Sequence, residues 1–118
     1  MGGRVYHANY LKFIERARSK FIESLNVDQR VLLLEEKKFF IVKNLVADYL
    51  LPAYFADRLA IHTTLIKLKR ASLILKQEIF RDDKKLFKCN VRLALLNSIG
   101  KPEKFSMDLA INIKKMGE

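Results

Sequence analysis

The stretch GGRVYHANYLKFIERARSKF, residues 2–21, joins a glycine-rich turn to an amphipathic segment. Apolar side chains recur along that segment at three- and four-residue steps, Leu11 and Ile22 are expected to widen the apolar stripe, and charged side chains occupy the other side. The pattern predicts a helix over residues 8–25, about 27 Å long at 1.5 Å per residue. We expect Asn9 or a residue beside it to cap the first turn, and Asn26 to end the helix in a left-handed conformation.

After Lys38 the hydrophobic period changes to two residues, which is typical of strands. Runs rich in Ile, Leu, Val, Phe and Thr predict four strands, over residues 39–49, 58–68, 71–80 and 86–96. Short polar connections join the last three, which favours antiparallel pairing. Shorter helices are expected over residues 28–37, capped by Asp28, and over residues 106–116. One long helix followed by antiparallel strands predicts an α+β fold, with the helix packed on a curved sheet.

The composition is that of one intracellular domain. A chain of 118 residues buries somewhat over 60% of its unfolded surface, so it needs neither a metal nor a disulfide for stability. No apolar run approaches the length of about 18 residues that spans a membrane, and the N-terminus has no secretory pattern. We therefore expect a cytoplasmic protein without membrane insertion. Cys89, the single cysteine, lies in an apolar strand pattern that is typical of a small buried thiol.

The net charge of +10, from 23 Lys and Arg against 13 Asp and Glu, favours attraction to polyanions. The basic residues are spread along the whole chain, which is typical of a solvated surface. Only this charge favours nucleic-acid binding, because the sequence has no recognisable DNA-recognition helix, aromatic motif for stacking on bases or glycine-rich loop that binds a nucleotide backbone. We expect no nucleic-acid partner.

The opening stretch closely resembles the signature of the 4-hydroxybenzoyl-CoA thioesterase family, in particular its bacterial acyl-CoA thioesterases encoded beside the Tol-Pal system. VADYLLPAYFADRLAIHT, residues 46–63, resembles that family's strand, Pro-Ala turn and following strand, and RASLILKQEIF, residues 70–80, resembles the strand after it. The resemblance implies a hotdog fold, a curved antiparallel sheet wrapped around one long central helix. It also implies a single domain over residues 1–118 and assembly as a homodimer or homotetramer.

The same resemblance implies hydrolysis of acyl-CoA thioesters to free acid and coenzyme A. Coenzyme A is then part of the substrate, and no metal or separate cofactor is expected. Backbone N–H groups of Tyr6 and His7 would polarise the carbonyl, and Gly3, with Gly2 before it, would let the backbone approach the thioester closely. The His7 side chain would position or protonate reacting groups.

Substrate-binding roles are expected for Asn9 beside the turn and for a basic cluster further on. Lys69, Arg70 and Ser72 surround a strand connection where a phosphorylated tail could dock. Such a charge cluster is also compatible with simple solvation, and a histidine before a helix is also compatible with a capping or surface role.

The family's first strand ends in Asp-x-Asp, and the second aspartate lies seven residues ahead of the histidine that matches His7. That position falls before Met1, so we expect the carboxylate and the first strand to lie outside these 118 residues. The alternative is a truncated, catalytically inactive hotdog fragment or an assembly subunit. Glu15, Asp48 and Asp57 have no obvious claim to replace the aspartate.

Two other ionisable side chains have plainer interpretations. Glu15 could hydrogen-bond back into the turn, but we favour a helix glutamate paired with a nearby arginine such as Arg18. His62, flanked by a threonine on a predicted strand, is interpreted as a half-exposed sheet residue without a chemical role.

Overall fold

The computed structural model describes residues 7–54 and 56–116, and of residues 7 and 8 the backbone alone. Three helices and four strands make up the fold. In chain order they are α1 (His7–Glu23), α2 (Gln29–Leu34), β1 (Phe39–Tyr49), β2 (Ala60–Leu68), β3 (Ser72–Arg81), β4 (Lys84–Leu96) and α3 (Met107–Met116).

The strands form one antiparallel sheet in the order β1-β4-β3-β2, so β1 and β2 are its edges in the described part of the chain. Alternate residues of the two central strands face α1 and are buried, namely Leu73, Leu75, Gln77 and Ile79 of β3 and Phe87, Cys89, Val91, Leu93 and Leu95 of β4. The period-2 pattern of the sequence arises from this one-sided burial.

Helix α1 packs across this face of the sheet. Tyr10, Ile14, Phe21 and Leu25 are buried, as the helical pattern predicts. Leu11 remains 40% exposed, so the prediction that it widens the buried stripe is wrong. The helix begins two residues before Asn9, which places Asn9 inside the first turn and not at the capping position.

The segment after α1 follows the predicted capping pattern over a shorter length. Asn26 has a φ of 62°, which confirms the left-handed terminator. Asp28 caps α2 by accepting hydrogen bonds from the backbone N–H groups of Arg30 and Val31. This helix ends before residue 37, because Lys37 takes a φ of 58° and turns the chain toward β1.

The predicted α+β architecture is confirmed: a long helix lies against an antiparallel sheet. The register places Tyr49, Phe87 and Ile79 at one end of that sheet, and Ser72 and Ala94 at the other. Among the helices that the structure describes, none combines the length and apolar character required to cross a bilayer.

Candidate active site

The N-terminus of α1, at His7, is the first part of the predicted site that the structure describes. The opening N–H groups of a helix have no intrahelical acceptor, and the helix dipole adds partial positive charge there. No acidic residue lies in the first turn of α1 to offset this charge. The helix start therefore suits an anion or a developing oxyanion. Gly3 and Tyr6 lie outside the described residues, as does the side chain of His7.

Tyr10 lies one turn into α1 and fixes a loop beside the helix start. Its side chain is 1% exposed, and its hydroxyl oxygen accepts a 2.7 Å hydrogen bond from the N–H of Ala53. The same hydroxyl lies 3.5 Å from the carbonyl oxygen of Leu51. Its ring lies 5.7 Å from that of Phe87, measured between centroids. These contacts bring the loop after β1 against the first turn of α1, where Asn9 is half-buried.

An ion pair holds the other side of this loop to the sheet. Arg81 donates hydrogen bonds to Asp57 at 2.8 Å and to the carbonyl oxygen of Pro52 at 3.3 Å. The carboxylate of Asp57 also accepts from the N–H of Tyr54 at 2.8 Å. The hydrogen bond from Arg81, followed by that from Tyr54, holds the pKa of Asp57 below its usual range. These hydrogen bonds stabilise the ionised carboxylate of Asp57, so Asp57 is poorly suited to accept a proton as a base.

The other carboxylates considered from the sequence lie in exposed positions. Glu15 and Asp48 are both exposed. Arg18, the expected partner of Glu15, donates a hydrogen bond to the side-chain oxygen of Gln77 at 3.2 Å, and the charge of Glu15 also acts on its guanidinium. On the sheet face opposite α1, Lys85 lies 2.6 Å from Glu78 and its hydrogen bond lowers the pKa of that carboxyl. In residues 7–54 and 56–116, the carboxylates with a shifted pKa are thus both held in ion pairs.

The structure separates the predicted basic cluster from the helix start. Lys69 and Arg70 are exposed in the turn between β2 and β3, where the N–H of Lys69 donates to the carbonyl of Ser72 at 2.8 Å. Ser72 lies seven residues along β3 from Ile79, or about 23 Å at about 3.3 Å per residue. Ile79 is level with Phe87, the ring that Tyr10 contacts. Within one chain, the cluster is therefore at the opposite end of the sheet from His7.

A cavity of about 310 Å³ also lies at the far end, between the C-terminal end of α1, α2, α3 and β4. Leu25, Leu32, Leu95 and Leu109 are among the residues that line it. The N–H of Leu95 donates to the carbonyl of Ala71, beside the basic cluster. This cavity is too far from the start of α1 to hold a thioester there.

Comparison with known proteins bears directly on this geometry. Residues 2–88, which contain the start of α1 and the loop held by Tyr10, match the thioesterase superfamily. The chain belongs to the thioesterase superfamily. It is 39% identical over 96 residues to the acyl-CoA thioesterase YbgC of Haemophilus influenzae, covering 81% of this chain and 71% of that protein. Identity to the acyl-CoA thioesterase YbgC of Helicobacter pylori is 41% over 78 residues, covering 66% of this chain and 56% of that protein.

A solved structure of the superfamily is similar along most of the chain. The crystal structure of a probable thioesterase from Bartonella henselae has a TM-score of 0.81 and 33% sequence identity, covering 88% of this chain and 86% of that one. The predicted membership of the thioesterase superfamily, and with it the hotdog fold, is confirmed.

Sequence reasoning missed one polar group of this superfamily member, the fully buried Gln77. Its side-chain nitrogen donates to the carbonyl of Ile14 and to the hydroxyl of Thr63, both at 3.1 Å. The signal was available, because Gln77 occupies an inward position of the alternating run SLILKQEIF. Its oxygen accepts from Arg18, whose pKa is lowered by burial.

Two residues interpreted without a chemical role lie where expected. Cys89 is buried, and burial raises the pKa of its thiol. His62 is exposed on β2, with its ring centroid 5.0 Å from that of Phe80.

Proposed function

We propose that this protein hydrolyses the thioester bond of acyl-CoA substrates, releasing a free acid and coenzyme A. The observation that carries the proposal is the start of α1 at His7, within the segment that matches the thioesterase superfamily. The relatives that are 39% and 41% identical to the chain are named acyl-CoA thioesterases. Coenzyme A enters as part of the substrate, and no metal or separate cofactor takes part in the proposed reaction.

The roles follow from the charge that develops during hydrolysis. As water attacks the carbonyl carbon, negative charge moves onto the carbonyl oxygen. The N–H groups of Tyr6 and His7 stabilise this oxyanion, and Gly3 allows the backbone to approach it. The His7 side chain orients reacting groups or supplies the proton that the departing sulfur requires. Asn9, in the same turn, contacts the substrate.

The attacking water must lose a proton, or an enzyme nucleophile must attack first. Asp57 and Glu78 are committed to Arg81 and Lys85, so neither is suited to this step. We assign it to the aspartate that the family resemblance places seven residues ahead of His7. In the direct route this carboxylate takes the water proton, the C–S bond breaks, and the thiolate is protonated.

The phosphorylated part of coenzyme A is assigned to Lys69, Arg70 and Ser72. These three residues lie far from the helix start of their own chain. This distance favours a site in which the helix start of one chain is completed by the basic cluster of a second copy. We therefore propose a homodimer or homotetramer, and the long exposed edge of β1, where Val46 is 60% exposed, offers a surface for pairing. Size-exclusion chromatography with light scattering tests the assembly, and a monomer would contradict it.

By the same resemblance we infer a cytoplasmic enzyme of the branch encoded beside the Tol-Pal system. The identity of the neighbouring genes tests the branch, and cell fractionation tests the location. Neither inference affects the chemistry assigned to the helix start.

The decisive experiment follows thiol release from a series of acyl-CoA thioesters. It compares the 118-residue chain with a form extended upstream in its reading frame, with and without a chelator. Turnover is expected in the form that contains the aspartate, and the chelator should leave its rate unchanged.

In the form that contains the aspartate, His7→Ala should lower the rate about 10²-fold or more. His62→Ala, at the exposed second histidine, is the matched control and should leave the rate unchanged. Absence of thiol release from both forms would refute the function, and an unaffected His7→Ala variant would remove His7 from the site.

A further inference from the structure

The hydroxyl of Tyr10 connects α1 to the loop of residues 50–54, which follows β1. It accepts from the N–H of Ala53 at 2.7 Å, and Ala53 is fully buried. On its other side lies the carbonyl oxygen of Leu51 at 3.5 Å. A phenol can donate and accept at once, so one side chain restrains two points of the loop.

The other hydrogen bonds described for this loop lead to the sheet or stay within the loop region. The N–H groups of Leu50 and Leu51 both donate to the carbonyl of Leu86, at 2.9 and 3.1 Å. Pro52 accepts from Arg81, and Tyr54 donates to Asp57. In the described part of the chain, the loop is thus fixed to the sheet by several residues and to α1 through Tyr10.

The loop presents apolar side chains to solvent beside the start of α1. Leu50 is 46% exposed, Leu51 43% and Tyr54 39%, and Leu11, the residue after Tyr10, is 40% exposed. Exposed apolar side chains on neighbouring residues of one loop offer a surface to an apolar ligand. An acyl group bonded to a carbonyl at the helix start would extend over such a surface.

We propose that Tyr10 is a positioning residue that sets the distance between the first turn of α1 and the loop of residues 50–54, and that Leu51 of this loop forms part of the wall contacting the acyl chain. The inference rests on the proposed function and deepens it, because it assigns the acyl-binding surface. Tyr10 itself acts through the loop. Small displacements of a positioned substrate slow a reaction strongly, so loosening this connection lowers kcat.

The test uses Tyr10→Phe, which retains the ring packed on Phe87 and removes the hydroxyl. The matched control is Asn112→Ala, which removes a 3.0 Å hydrogen bond from α3 to the carbonyl of Leu25, at the opposite end of α1. Leu51→Ala tests the wall directly at a partly exposed position. Each variant is made in the form that contains the upstream aspartate and is assayed with acetyl-CoA and with longer acyl-CoA substrates. Amide hydrogen exchange is measured over residues 50–54.

For Tyr10→Phe we expect faster exchange in the loop and about a 10-fold lower kcat with long acyl chains, within the range for a misplaced reacting group. The loss should be smaller with acetyl-CoA, because an acetyl group does not reach Leu51. Leu51→Ala should reproduce this dependence on chain length, and Asn112→Ala should not. An equal loss for all chain lengths, or Tyr10→Phe activity equal to that of the control, would overturn the inference while acyl-CoA hydrolysis stands. Absence of hydrolysis by the unmodified protein would refute the proposed function and this inference with it.

Discussion

The side-chain amide of Gln77 donates a 3.1 Å hydrogen bond to the backbone carbonyl of Ile14 and thereby joins the middle of α1 to β3. The contact crosses 63 residues of sequence and lies inside the apolar core. Because Thr63 and Arg18 also bond to this amide, Gln77 fixes α1 both along its axis and against the β2 side of the sheet.

Gln77→Leu should therefore destabilise the protein by about 3 kcal/mol, since buried polar partners lose their hydrogen bonds while the apolar volume is nearly retained. Urea unfolding measures the change. Gln29→Leu, at the chain's other glutamine, which is exposed, should alter stability by less than about 0.5 kcal/mol. Equal effects of the two substitutions would show that the Gln77 contacts contribute little.

The ion pair between Asp57 and Arg81 predicts a loss of stability in acid. The pKa of Asp57 is lowered in the folded protein, so its contribution is fully present above the unfolded value of about 3.9. It disappears as the pH falls through the lower folded value. The stability difference between the wild type and Asp57→Asn should therefore be constant near neutral pH and shrink below about pH 4.

Urea midpoints measured from neutral pH to about pH 3 follow this change. The same substitution in an Arg81→Gln background is the control, because the guanidinium that lowers the pKa of Asp57 is then absent. A difference that shrinks to the same extent in both backgrounds would assign the effect to other groups.

The helices and strands could be predicted from the sequence because amphipathic periodicity is a local property. The burial of Tyr10 and Ile14, the capping by Asp28 and the left-handed Asn26 all depend on neighbours within a few residues. Leu11 differs because the width of the buried stripe depends on how α1 lies across the sheet, which the helical pattern does not specify.

The arrangement of the site could be predicted only in part. The motif indicated a helix beginning at residue 8 and a Pro-Ala turn after the first strand, but not that the hydroxyl of Tyr10 joins the two across 43 residues. Likewise, Lys69 and His7 belong to one predicted substrate site, while their separation follows from the course of α1 over the sheet. Contacts of this kind are set by tertiary packing and leave no periodic signal.

Cys89 should react slowly with thiol reagents in the folded protein. It is 2% exposed, and burial raises the pKa of its thiol, with Arg18 partly opposing the shift, so little thiolate forms at mildly alkaline pH. Labelling in native buffer should be at least about 10²-fold slower than in urea, since the reactive form is the exposed thiolate. The Cys89→Ala variant, which has no thiol, gives the background rate of the reagent. Native labelling as fast as in urea would contradict the buried position.

The final prediction concerns Lys69 and Arg70, which lie at the opposite end of the sheet from the start of α1. If they bind the phosphates of coenzyme A, the substitutions Lys69→Gln and Arg70→Gln together should raise KM for acyl-CoA about 10²-fold, the size expected for losing two charge-assisted hydrogen bonds. The value of kcat should not change, because these residues bind the ground state and the transition state equally.

An acyl-pantetheine thioester, which lacks the phosphates, provides the internal comparison. Its KM should be the same for the wild type and the double variant. The charge-matched control combines Lys12→Gln and Lys20→Gln, two exposed changes on α1. This control should leave the KM for acyl-CoA nearly unaltered. Raised salt should weaken acyl-CoA binding by the wild type more than by the double variant, since screening acts on the charges that the variant lacks. Equal KM increases for both substrates would mean that the turn between β2 and β3 supports the fold and does not bind phosphate.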